Sequence, residues 1–180
     1  PIKEDKCIFS AIAPLFNDLK NRYDFTSEKF YLFGHSAGGG FVHRYLLFKP
    51  DAPVEKAVAA NPAFVTLPSY NSFYPFGLGG LSVNDQDLAS WFESEMAIVL
   101  GEKDLGPRTQ LLSNGKEARD QGPHCFARGT LLYKVSKQYA KNKKTDFRWR
   151  LITAPGVGHD NLGIAPYLSL IHISEPTRQA

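Results

Sequence analysis

Cysteine is scarce: Cys7 and Cys125 are the only two in 180 residues. Two cysteines do not build a disulfide framework, so stability has to come from a hydrophobic core. Both read as small core or surface residues rather than nucleophiles. No apolar run reaches the roughly 18 residues that a membrane-spanning helix needs. Charge of one sign is also lacking, with a formal net charge of only +3. The densest basic cluster, Lys137, Lys141, Lys143 and Lys144, reads as the solvated end of a helix. Nucleic-acid binding would need a basic face interleaved with stacking aromatics, and none is legible. No His/Cys/Asp group has metal-ligand spacing, so neither a metal nor another cofactor is expected. Phosphate-cradling loops of the Gly-Lys-Ser/Thr or G-x-G-x-x-G kind are missing too. Compartment and oligomeric state stay open.

What is present is an ordinary globular composition, 43% apolar and 22% charged, with 13 Phe and 8 Tyr to fill a core. Residues 5–23 carry Ile8, Ile12, Leu15, Phe16, Leu19 and Tyr23 at helical spacing. Residues 29–33, 56–60 and 96–100 are short apolar runs that suit buried parallel strands. Residues 147–153 alternate Phe147, Trp149 and Leu151 with Arg148 and Arg150, as an outer strand would. Helices are expected from Phe41 to Phe48, over 85–95 and over 124–142. Residues 61–83 and 105–123 read as irregular. Strands alternating with helices predict an α/β fold, a parallel sheet of about four strands covered by helices on both faces.

The sharpest local feature is GHSAGGG, Gly34–Gly40, between an apolar strand and a helix. It contains G-x-S-x-G as Gly34, Ser36 and Gly38. A serine hydroxyl needs a base to become nucleophilic, and a tight strand-to-helix turn exposes it above the sheet. Such a turn strains the backbone at Ser36, so its near neighbours Gly34 and Gly38 are expected to be small. The Ala37 N–H, at a helix N-terminus, could stabilise an oxyanion. The bland alternative is a glycine-rich turn without chemistry.

An acid and a base should follow later strands. Asp104, just past the third strand in MAIVLGEKD, is the candidate carboxylate, with Glu102 its nearby rival. His159, in PGVGHD after the fourth strand, is the candidate base, since imidazole titrates near neutral pH. The chain order Ser, Asp, His matches the nucleophile-elbow hydrolases. His35 precedes the serine and is expected to pack beside the elbow. His43 reads as structural, and His124 either caps a helix or lines the site. Tyr74 and Phe76, in the aromatic loop 61–83, either line an apolar substrate pocket or fill core beneath the loop.

These residues resemble the α/β-hydrolase superfamily over 5–167. GHSAGG is similar to the elbow of its esterases and polyhydroxybutyrate-depolymerase-like members, and QGPHCFARG and WRLITAPGVGHDN resemble bacterial members of that group. The resemblance implies triad roles for Ser36, Asp104 and His159, an oxyanion contact from Ala37, and a small-molecule ester substrate. A peptidase of the same fold, or a hydrolase-fold binding protein without catalysis, are the other readings. The family's sheet begins with strands ahead of the elbow strand, one of whose loops supplies the other oxyanion donor. The expected domain, 1–167, is therefore a truncated α/β-hydrolase fold with an open sheet edge, marginal or aggregation-prone. Loss of one oxyanion donor, costing roughly 2.7–4 kcal/mol, would leave it nearly inactive. Leu168–Arg178, LSLIHISEPTR, resembles the in-frame translation of a transposase-type sequencing adapter, so 168–180 are expected to be an artefactual tail without function.

Overall fold

Four parallel strands lie in the order β1-β2-β3-β4. They are β1 (Phe30–His35), β2 (Val54–Ala60), β3 (Met96–Gly101) and β4 (Arg150–Ala154). The helices are α1 (Ile12–Tyr23), α2 (Ala37–Phe48), α3 (Asp85–Glu93), α4 (Lys116–Asp120), α5 (Cys125–Lys143) and α6 (Asn161–Ile164). Short 3-10 segments, Ile8–Ala11 and Ala165–Ile171, precede α1 and follow α6. This computed structural model describes residues 7–106, 112 and 115–171.

The two-residue period of β2 divides the core. Ala57 and Ala59 face a cluster built with Val42 and Leu46 of α2, Leu88, Trp91 and Phe92 of α3, and Leu132 and Ala140 of α5. Val58 and Ala60 face the opposite side, with Ala97, Val99, Ala154 and Ile164. Small alanines on the central strands let helices approach closely, and each large side chain fully buried above them contributes about 1.5–3 kcal/mol. The buried indoles keep their N–H groups satisfied: Trp91 Nε1 donates to the His43 carbonyl at 2.8 Å, and Trp149 Nε1 to the Trp91 carbonyl at 2.9 Å. Asn84 starts α3 with a reciprocal capping box with Asp87.

The expected α/β sheet with helices on both faces is present. Several boundaries differ. α2 begins at Ala37, four residues earlier than its apolar pattern suggests, because three glycines are wound into its first turn. Their poor helix propensity is outweighed by the close approach of α2 to the sheet. α4 lies inside the stretch that reads as irregular; it is only five residues long, too short to show a period. β4 starts at Arg150, after Trp149 has entered the core. The apolar stripe of α1 is only partly covered: Phe16 packs on Phe25 and Phe30, whereas Leu15 and Tyr23 are 54% and 74% exposed. β1 is an edge strand among those described, and Tyr31 and Phe33 on it are exposed. Of the adapter-like stretch, Leu168 packs partly buried against the second cluster, and 172–178 lie outside the described residues.

Candidate active site

Ser36 is the single residue between β1 and α2. Its φ of 58° and ψ of −113° put it in a region that non-glycine residues avoid, at a cost on the order of 1–3 kcal/mol. Neighbouring backbone holds it there: its N–H donates to the Ala60 carbonyl at 2.9 Å, and its carbonyl accepts from the Gly40 N–H at 3.1 Å. A Cβ at Gly34 would stand 2.2 Å from the Gly38 carbonyl oxygen, so the turn excludes any side chain there. Gly38 is different: a Cβ on it would meet nothing within 4 Å. The expectation that both glycines make room for the turn therefore holds for Gly34 and not for Gly38. Ala37 opens α2, which puts its amide at a helix N-terminus directly after Ser36.

Asp104 follows β3 and is buried, 3% exposed. Its N–H donates to the Gly101 carbonyl at 3.0 Å, which turns the chain tightly after the strand. Its Oδ2 lies 2.7 Å from Nδ1 of His159. The rival carboxylate has another task. Glu102 Oε2 accepts from the Gly156 N–H at 2.8 Å and so braces the loop after β4. The same loop is tied to β3 by the Lys103 N–H, which donates to the Val157 carbonyl at 2.8 Å. A Cβ at Gly101 would come 2.4 Å from the Gly158 carbonyl oxygen, so a bare backbone at the end of β3 lets the His159 loop close over it.

With Nδ1–H donating to a carboxylate, Nε2 of His159 is the nitrogen left to act as a base. Nε2 is buried and has no hydrogen-bond partner among the described residues. The His159 ring packs on that of His35, with centroids 4.6 Å apart. Since His35 immediately precedes Ser36, this contact brings the β4 loop and the elbow together at one rim of the sheet.

The other histidines divide cleanly. His124 is the N-cap of α5, its Nδ1 accepting from the Ala127 N–H at 3.1 Å. His43 is fully buried: it bonds the Gly39 carbonyl through Nδ1 and accepts from the Thr66 N–H through Nε2, each at 3.0 Å. Burial, with the adjacent Arg44 guanidinium second, lowers its pKa to about 3, so it is neutral and structural. Tyr74 packs edge-on against Phe48, the last residue of α2, with ring centroids 5.7 Å apart. Phe76 packs on Phe64, whose ring also carries the Arg44 guanidinium.

Two neighbours of the site were not legible. Asn61, at the end of β2, is fully buried and reaches both His35 and the His159 loop. In the sequence it is only the first half of a strand-ending Asn-Pro. Cys125 Sγ lies with the Asp104 carboxylate and a His159 ring nitrogen in a group of donor atoms all within 4.8 Å of one another. These residues lie on separate elements, so ligand spacing along the chain could not reveal them. The Asp104–His159 bond already joins two of the three groups.

No protein-family model and no curated protein matches the chain. Solved structures do. Poly(aspartic acid) hydrolase-1 from Sphingomonas sp. KT-1 is 34% identical, with a TM-score of 0.87 over 92% of this chain and 63% of that one. LpqC, a poly(3-hydroxybutyrate) depolymerase from Bordetella parapertussis, is 31% identical, with a TM-score of 0.88 over 100% of this chain and 61% of that one. The siderophore hydrolase EstA from Aspergillus nidulans, at 15% identity and a TM-score of 0.53, shares the fold. The chain thus spans 63% and 61% of the lengths of the first two. With its parallel sheet and strand-elbow-helix turn, the chain has the α/β-hydrolase fold.

Proposed function

We propose that the protein is a serine hydrolase that cleaves a carboxylic-ester-type bond through an acyl-enzyme intermediate. The observation that carries this reading is the 2.7 Å bond between His159 and Asp104, with the His159 ring against that of His35, the residue before a serine held at φ 58°. Ser36 Oγ attacks the substrate carbonyl while His159 Nε2 takes its proton. Asp104 keeps the imidazole oriented and stabilises its cationic form. The Ala37 N–H faces the developing oxyanion. Collapse expels the alcohol, which takes the proton from His159. Water then attacks the acyl carbon as it gives a proton to Nε2; the bond to Ser36 Oγ breaks, the acid leaves, and Nε2 returns the proton to Oγ.

The names of the two similar hydrolases point to polymers, one an amino-acid polymer and the other a polyester. The first of these favours a second reading, amide cleavage by the same three side chains. In both, acyl transfer to Ser36 comes first. Labelling of the full-length protein by a fluorophosphonate probe, abolished by Ser36→Ala, is the expected result. Labelling that survives Ser36→Ala would put the reactive nucleophile elsewhere, and a wild-type protein that never reacts would leave a binding protein of this fold. Comparing p-nitrophenyl esters with the matching anilides then separates the ester from the amide reading.

A further inference from the structure

We infer that Asn61 is a positioning residue that fixes the tautomer of His35 and keeps an uncharged ring against the base of the proposed triad. The inference rests on the serine-hydrolase reading only for its kinetic consequence. Asn61 ends β2 in the left-handed region, φ 41°, which asparagine tolerates better than most residues. It is fully buried, so each polar atom of its amide needs a partner.

Those partners come from three other strand ends. Oδ1 accepts from the Gly101 N–H, at the end of β3, at 2.8 Å. Nδ2 faces Nε2 of His35, at the end of β1, at 3.3 Å, and donates to the Gly158 carbonyl, past β4, at 3.4 Å. One side chain thus joins the C-terminal ends of all four strands.

The orientation of the amide is decided by its backbone partners. Flipping it would set Nδ2 against the Gly101 N–H, donor against donor, and Oδ1 against the Gly158 carbonyl, acceptor against acceptor. With Nδ2 fixed towards His35, Nε2 of His35 must accept. That nitrogen is therefore unprotonated, and His35 is the neutral Nδ1–H form.

The consequence falls on His159, whose ring lies 4.6 Å from that of His35. When His159 takes the serine proton it becomes a cation, and a second cation in contact would oppose it. The ionisable groups around the pair, among the described residues, include Cys125, whose Sγ lies within 4.8 Å of a His159 ring nitrogen and the Asp104 carboxylate. Asp104 is bonded to His159. Glu102 is occupied by the Gly156 N–H, and Asp160 by the Leu162 and Gly163 N–H groups that it caps. Asn61 Nδ2 lies 3.3 Å from His35 Nε2.

Long-range proton–nitrogen correlation spectra of the full-length, nitrogen-labelled protein at neutral pH test this directly. His35 Nε2 should give the signature of an unprotonated ring nitrogen. In Asn61→Asp, which offers an acceptor where the amide offered a donor, that nitrogen should become protonated. The same variant should lose about tenfold in kcat with KM little changed, as expected when a proton-transfer group is disturbed and binding is not. A protonated His35 Nε2 in the wild-type spectrum would overturn the inference without any variant, as would an Asn61→Asp spectrum identical to wild type. Failure of fluorophosphonate to label Ser36 would remove the serine-hydrolase reading instead, leaving the ring spectrum as a separate result.

Discussion

His159 Nδ1 and Asp104 Oδ2 are 2.7 Å apart, although 55 positions separate the two residues in the chain. The carboxylate is buried and the ring nearly so, and a charged acceptor makes such a bond stronger than one between neutral groups. The bond selects the imidazole tautomer, leaving Nε2 free of a proton.

Asp104→Asn should therefore retain the fold and lose activity, because an amide can present its N–H to Nδ1 and favour the wrong tautomer. A fall in kcat of about 10⁴-fold is the scale known for such a change in a Ser-His-Asp enzyme. Steady-state hydrolysis of an activated ester by the full-length protein is the measurement. A variant within a few-fold of wild type would show that Asp104 does not orient the base.

The glycines of the elbow should respond unequally. Gly34→Ala puts a Cβ into the Gly38 carbonyl, a clash on the scale of overpacking penalties, typically 1–3 kcal/mol or more. Gly38→Ala enters open space within α2 and should leave stability unchanged or raise it by up to about 1 kcal/mol. Thermal melts of the two variants give the comparison; equal losses would mean that the backbone of the turn differs from that described.

Acid should act on His43. Its pKa is about 3 in the folded protein, against 6.5 ordinarily, because burial excludes the charged form. The unfolded chain therefore binds the extra proton first. The contribution is fully present above the unfolded pKa of 6.5, and it falls by about 1.4 kcal/mol per pH unit as pH drops towards about 3. Chemical denaturation at a series of pH values should show this slope in wild type and a shallower one in His43→Gln. An unchanged slope in the variant would assign the acid sensitivity to other groups.

The side of β1 left unpaired among the described residues should be adhesive. Tyr31 and Phe33 are 50% and 38% exposed on an edge strand, and Leu15 and Tyr23 of α1 are exposed nearby in sequence. Unpaired strand edges with apolar side chains favour association. Sedimentation of the 180-residue chain should show concentration-dependent association, reduced in Tyr31→Lys/Phe33→Lys; a monodisperse monomer across that range would contradict it.

Tyr74 should prove dispensable to substrate choice, since its ring packs on Phe48, the last residue of α2. Tyr74→Ala is expected to leave the dependence of kcat/KM on acyl chain length unaltered, whereas a changed dependence would return the aromatic loop to the pocket.

Much of this was legible in the residues themselves. Short apolar runs, each ended by a glycine or a polar turn, marked β1, β2 and β3; β2 and β3 are apolar because both of their faces are covered, whereas β1 leaves Tyr31 and Phe33 exposed. GHSAGGG between a strand and a helix marked the elbow, since few other sequences permit positive φ and close backbone approach together. The order Ser36, Asp104, His159 followed from which strand each residue trails. Local pattern favoured Asp104 over Glu102, because the strand has fully ended by that point, and the closure of the β4 loop shows what each does: one carboxylate is on the imidazole and the other on the Gly156 amide. Nor could it find Asn61 or the nearness of Cys125, whose partners come from separate strand ends and helices. The sequence by itself determined the alternation of elements and the residue types able to do chemistry, because these depend on period and on side-chain character. Tertiary structure alone decided which groups meet, because hydrogen bonds act over about 3 Å and that separation is set by sheet order and loop closure rather than by distance along the chain.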